Sequence, residues 1–179
     1  MSKYNVCLVP GTIQCVKNYK SYNGLDIWIN DHNEIPINTK CFIGHSLGAN
    51  HILNLNVGND YKFIFINPLI KRRCFLLHFV NWIRFLIFEG FEIRKAAPVK
   101  YWLHTFKQIL LLLEVDVLEQ MKKIPKENII IIRGKHDDYF CDKKNVEILK
   151  VNNFKIIEVE AGHDWNEHVA RAVEEIIQN

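Results

Sequence analysis

No stretch of this sequence approaches the roughly 20 consecutive apolar residues that a membrane-crossing helix needs. The segment from Phe75 to Phe88 is apolar nearly all round but is interrupted by His78, Asn81 and Arg84. The five cysteines, Cys7, Cys15, Cys41, Cys74 and Cys141, are odd in number and scattered, and no C-x-x-C pair occurs. That excludes a disulfide framework and the usual thiolate redox or metal motifs. There is no H-E-x-x-H either, and the i, i+5 spacing of His163 and His168 does not put both on one helical face, so no metal or other cofactor is expected. Charge of one sign is also missing: the net +3 is small, no like-charged tail occurs, and a nucleic-acid partner is not expected. The first nine residues run straight into an apolar strand and lack the longer apolar core of a secretion signal. Reduced thiols and a cytoplasmic location are the corresponding expectations.

What is present has the rhythm of an α/β protein. At 179 residues the chain fits one domain. Strands are expected at Val6 to Val9, Leu25 to Ile29, Cys41 to Gly44, Tyr61 to Ile66, Asn128 to Arg133 and Phe154 to Val159. Helices are expected at Ile13 to Tyr22, Leu47 to Val57, Phe75 to Phe88, Val99 to Leu113, Asp116 to Lys123 with Asp116 as N-cap, Lys143 to Val151 and Asn166 to Ile177, with a turn at Asn30-Asp31 and a loop from Asp31 to Lys40. Alternation of this kind favours a mostly parallel sheet of about six strands flanked by helices. Residues 70–115 interrupt it as a helical cap inserted in the domain. In that cap His78, Asn81 and Arg84 recur every third residue, which predicts one narrow wet seam on the first helix.

Serine is scarce, with three in the whole chain, and one stands in Gly44-His45-Ser46-Leu47-Gly48, directly after an apolar run and before helix-compatible sequence. G-x-S-x-G at a strand-to-helix turn forces the serine towards unfavourable φ/ψ and crowds the residues two before and two after, so both must be tiny. The strain exposes the hydroxyl at the carboxyl end of the strand. The next N–H, that of Leu47, sits at a helix N-terminus, where developing negative charge is favoured.

A serine hydroxyl is a weak nucleophile at neutral pH, so it needs an imidazole to accept its proton and a carboxylate to fix the imidazole's tautomer. Candidates follow in the order Ser46, Asp137, His163, the last two just after expected strands and therefore on the same sheet edge as Ser46. Asp138 is the alternative acid. His45 reads as a packing and hydrogen-bonding neighbour of the serine, His136 and His168 as surface groups or supports behind the site, and His78 and His104 as cap residues making interhelical contacts or lining an acyl pocket.

Val9-Pro10-Gly11-Thr12, Gly44 to Gly48, Gly134-Lys135-His136-Asp137 and Ala161-Gly162-His163, in this order, resemble the α/β-hydrolase fold superfamily in a pared-down form similar to the small serine hydrolases. The resemblance covers nearly the whole chain outside the cap. It implies a triad of Ser46, Asp137 and His163, with an oxyanion hole made by the N–H groups of Leu47 and Thr12. Pro10 departs from the pattern, standing where family members often carry His. The activity implied is a carboxylesterase or lipase-like serine hydrolase acting on a small-molecule ester or thioester. An amidase or peptidase with the same triad, or a binding protein that kept the fold without turnover, are the alternatives.

The cap adds a preference. From Lys71 to Lys107 eight bases stand against Glu89 and Glu92. An apolar, basic cap fits an apolar acyl group in the substrate and weak contact with an anionic membrane surface.

Overall fold

The computed structural model describes residues 5–19, 22–29, 34–72 and 74–178. Residues 20 and 21 of the helix expected over 13–22, the turn at Asn30-Asp31, the start of the loop expected over 31–40, and Arg73 lie outside that set. Five strands make one parallel sheet in the order in which they occur: β1 (Val6–Val9), β2 (Cys41–His45), β3 (Lys62–Ile66), β4 (Ile129–Gly134) and β5 (Lys155–Val159). Among the described residues six α-helices accompany them: α1 (Leu47–Asn54), α2 (Phe75–Phe88), α3 (Trp102–Leu113), α4 (Val117–Met121), α5 (Lys143–Val151) and α6 (Glu167–Gln178). Asp116 caps α4 as expected, accepting the Glu119 N–H.

Central strands of a parallel sheet are covered on both sides and therefore read as unbroken apolar runs. Strand residues alternate between two cores. Phe42, Phe63, Phe65, Ile129 and Ile131 share one with Leu47, Ile52, Leu112 and Val117 of α1, α3 and α4. Ile43, Ile64, Ile66 and Ile132 share the other with Tyr19 and with Val169, Ala172 and Val173, the i, i+3, i+4 stripe of α6. Burying each such Ile or Phe contributes roughly 1.5–3 kcal/mol. Because all five strands run the same way, the loops after β1, β2, β3, β4 and β5 meet at one edge, where Thr12, Ser46, Asp137 and His163 each follow a strand.

Two expectations are corrected. The run Leu25 to Ile29 is not a strand, so the sheet has five members rather than six. Its chain touches β1 through a single parallel bridge, Leu8 with Gly24, and then turns, with Ile29 N–H donating to Asp26 O at 3.0 Å. Leu25, Ile27 and Trp28 are buried all the same, and burial without extension is what made the run look like a strand. Between β1 and that bridge a short 3-10 turn, Val16–Asn18, replaces the expected helix among the described residues. The Asp26 carboxylate takes the Val16 N–H at 2.5 Å and anchors this turn.

The seam on α2 is also reversed. His78 is buried, its ring against Phe140 with centroids 5.5 Å apart, and Asn81 donates to Tyr139 O at 3.1 Å. His78 and Asn81 therefore pack on the loop after β4 while Arg84 stays exposed, and the opposite, apolar side of the helix faces out.

Candidate active site

Ser46 is the junction of β2 and α1, with φ 52° and ψ −122°, a region that residues with a Cβ seldom occupy. Its flanking glycines are required by close approach. A Cβ on Gly44 would lie 2.6 Å from Ala49 Cα, and one on Gly48 would lie 2.2 Å from Val9 O. Leu47 opens α1, so its N–H has no acceptor within the helix.

The structure brings Ser46, Asp137 and His163 together. Ser46 Oγ is 2.9 Å from His163 Nε2, and His163 Nδ1 is 2.7 Å from Asp137 Oδ2. The serine and imidazole are almost fully buried and the carboxylate completely so. Burial by itself would raise the Asp137 carboxyl. The His163 imidazole and the N–H groups of Phe140 and Cys141 outweigh it and hold the carboxyl below its usual range. An ionised carboxylate only accepts, so His163 Nδ1 donates to it, which leaves Nε2 facing the Ser46 hydroxyl. Asp138 is exposed and takes no part in this chain of bonds.

His45, inside the elbow, is buried in a polar network behind the serine. Its Nε2 faces His163 O at 2.9 Å and its Nδ1 faces the Tyr19 hydroxyl at 2.6 Å. The same hydroxyl accepts the Gly11 N–H at 2.9 Å and meets Gln14, whose amide donates to Asp164 at 2.7 Å. Burial and the neighbouring His163 push His45 down to about 4, so it is neutral at ordinary pH. Through Gly11 this network fixes the loop that carries Thr12. The next residue, Ile13, has φ 58°, uncommon for a β-branched side chain. Its carbonyl accepts the Ala97 N–H, so residues 96–97 of the inserted segment help to hold the loop.

Sequence reasoning missed two anchors. Asn67, after β3, donates to Gly162 O at 3.1 Å and His163 O at 2.8 Å and accepts the Gly134 N–H at 2.8 Å, tying the acid loop to the histidine loop. Asn-Pro directly after a buried strand was the available signal. Glu89, just past α2, turns its carboxylate back to accept the His163 N–H at 2.9 Å. It lies so close to Gly162 that a Cβ there would be 2.0 Å from Oε2. No local pattern announces it.

Thr12, Trp82, Phe85 and Phe140 line the narrow recess in which Ser46 and His163 sit. Thr12 and Trp82 also line an adjoining apolar cavity of about 290 Å³ between α2 and α3, with Phe75, His78 and Trp102 among its walls. His104 instead faces Ile27 O at 2.9 Å, while His136 and His168 are exposed, the former against Glu160. Among the described residues no group of three His, Cys, Asp or Glu could hold a metal ion. Four of the five thiols are buried, and Cys7 and Cys41 are pushed up to about 12 by burial, so neither supplies a thiolate.

No protein-family model matches the sequence, and no curated protein matches it. Solved structures do. A lipase-esterase related protein from Clostridium acetobutylicum superposes with a TM-score of 0.64 at 16% identity, covering 99% of this chain and 95% of that one. An esterase from Pyrococcus furiosus gives 0.56 at 15% identity, covering 99% and 81%. With the parallel sheet and the strained serine after β2 already described, these likenesses place the chain in the α/β-hydrolase fold, reduced to five strands.

Proposed function

We propose that this protein is a serine hydrolase that cleaves a carboxylic ester or thioester through an acyl-enzyme on Ser46. The observation that carries the reading is the continuous relay from Asp137 through His163 to the Ser46 hydroxyl, at 2.7 and 2.9 Å. His163 Nε2 takes the Oγ proton as Oγ attacks the carbonyl carbon. Asp137 holds the ring in place and stabilises the imidazolium. The oxyanion meets the N–H groups of Leu47 and Thr12, each such donor being worth roughly 100- to 1,000-fold in turnover. His163 then gives its proton to the departing alcohol or thiol, and a water activated by the same ring hydrolyses the acyl-enzyme.

The apolar cavity beside the serine supports an apolar acyl group, and the two fold relatives described above as esterase and lipase-esterase related fit an ester bond. No cofactor is needed for this chemistry. The test is covalent labelling with an active-site organophosphonate: the wild type should react and Ser46→Ala should not, and equal labelling of both would remove the nucleophile assignment. On p-nitrophenyl esters, octanoate should exceed acetate in kcat/KM. Absence of any chain-length preference would remove the acyl-pocket assignment.

A further inference from the structure

Helices α2 and α3 turn polar groups inward and leave apolar ones outside. In α3, His104 faces Ile27 O and Thr105 donates to Trp28 O, each at 2.9 Å, while Lys107 stays exposed. Leu103, Phe106, Leu110 and Leu111, at i, i+3, i+7 and i+8, are exposed. In α2 the exposed stripe is Leu76, Val80, Ile83 and Ile87, opposite buried His78 and Phe85. Thirteen of the seventeen exposed large apolar side chains among the described residues fall between Leu76 and Leu111, with Leu103 85% and Phe88 71% exposed. A monomer seldom leaves so continuous an apolar face in water without a partner.

Charge identifies the partner. Lys71, Arg94, Lys100 and Lys107 are exposed along the same segment; Arg72 and Arg84 are exposed too, but Arg72 pairs with Asp116 at 4.0 Å and Arg84 lies over the Tyr139 ring. The segment's two acids are already engaged, Glu89 by the His163 N–H and Glu92 by Lys95 at 3.3 Å. A second copy of the chain would bring this positive face against itself, whereas an anionic bilayer complements both the bases and the apolar stripe. No described helix is long and apolar enough to cross a membrane, so the contact lies along the surface. The cavity leads the same way. Phe79, Trp102 and Phe106 are exposed members of the face and also line the cavity, whose Thr12 and Trp82 border the Ser46 recess.

We infer that the outward face of α2 and α3 docks on an anionic lipid surface, and that an amphiphilic ester passes from that surface through the apolar cavity to Ser46. The route, though not the docking, rests on the reading of Ser46 as a nucleophile. Each outward base near the surface strengthens partitioning roughly fivefold.

Sedimentation with phosphatidylcholine vesicles, with and without phosphatidylglycerol, tests the docking. The Ser46→Ala protein should sediment with the anionic vesicles at low salt and less with the neutral ones. Lys100→Gln with Lys107→Gln should weaken it roughly fivefold per base. Ile87→Glu with Leu103→Glu should abolish it while leaving thermal unfolding and organophosphonate labelling as in the wild type, since neither side chain lines the cavity. Folded protein that stays in the supernatant at low salt overturns the inference. So does light scattering that shows a dimer which the double glutamate variant converts to monomer, because the face then belongs to a second copy. Vesicle binding by a wild type that the organophosphonate fails to label keeps the docking and removes the route, so the two readings fail separately.

Discussion

Replacing Ser46 by glycine should leave a more stable protein than replacing it by alanine, although glycine loosens an ordinary backbone. Both variants lose the hydroxyl and its bond to His163, so their difference isolates the backbone. At φ 52° and ψ −122° any residue with a Cβ is strained, at a cost of about 1–3 kcal/mol. Glycine removes that strain but gives up about 0.5–1 kcal/mol through the freedom of its unfolded chain. Taking the middle of each range, Ser46→Gly should exceed Ser46→Ala by about 1.3 kcal/mol. For a chain of this size that corresponds to roughly 3–5 °C in Tm. Thermal unfolding followed by circular dichroism, run on both variants in one buffer, reads the difference. An alanine variant as stable as the glycine variant, or more so, would mean that the elbow stores no strain, and the argument that a strained turn turns the hydroxyl towards His163 would go with it.

Acid should destabilise the protein through His45, whose value of about 4 in the fold lies below its ordinary 6.5. Between those two pH values the unfolded chain binds a proton that the native chain does not, so stability should fall by about 1.4 kcal/mol per pH unit as pH drops. His45→Gln should remove that slope in urea titrations, leaving the contribution of His51, which burial also lowers to about 4; an unchanged slope would show that His45 is not held neutral. Glu89→Ala should lower kcat on a soluble ester more than it raises KM, because it frees the N–H of the residue bearing the imidazole, with Glu89→Gln restoring most of the loss and equal effects of both variants counting against a positioning role. Gly48→Ala should destabilise the fold by more than about 1 kcal/mol, since its Cβ would meet Val9 O at 2.2 Å; a neutral effect on the denaturation midpoint would contradict the packing described.

The parts of this molecule that could be read from its sequence are those whose cause is local. G-x-S-x-G states its own steric demand within five residues, and the four-isoleucine centre of β4 can hardly be anything but a buried strand. Leu25 to Ile29 misled because a buried turn and a buried strand share one composition, and only the hydrogen bonds of Asp26 and Leu8 separate them. The orientation of α2 was illegible for a related reason: with apolar residues on every side, His78 and Asn81 looked as solvated as Arg84 until Phe140 and Tyr139 supplied their partners. Ser46, Asp137 and His163 could be nominated because each follows a strand of one parallel sheet. Asn67 follows a strand of that sheet too, and its Asn-Pro was a signal passed over; Glu89 could not be nominated, since what makes it matter lies 74 residues away.

The sheet order has a consequence for how such a protein is made. Strands that occur in sequence and lie in sequence let a chain leaving the ribosome add each new strand to a neighbour already in place. The imidazole comes after the fifth of them. If Ser46 and His163 act as proposed, a nascent chain can have its serine elbow in place before the base has been synthesised, and the unfinished polypeptide would then be chemically quiet.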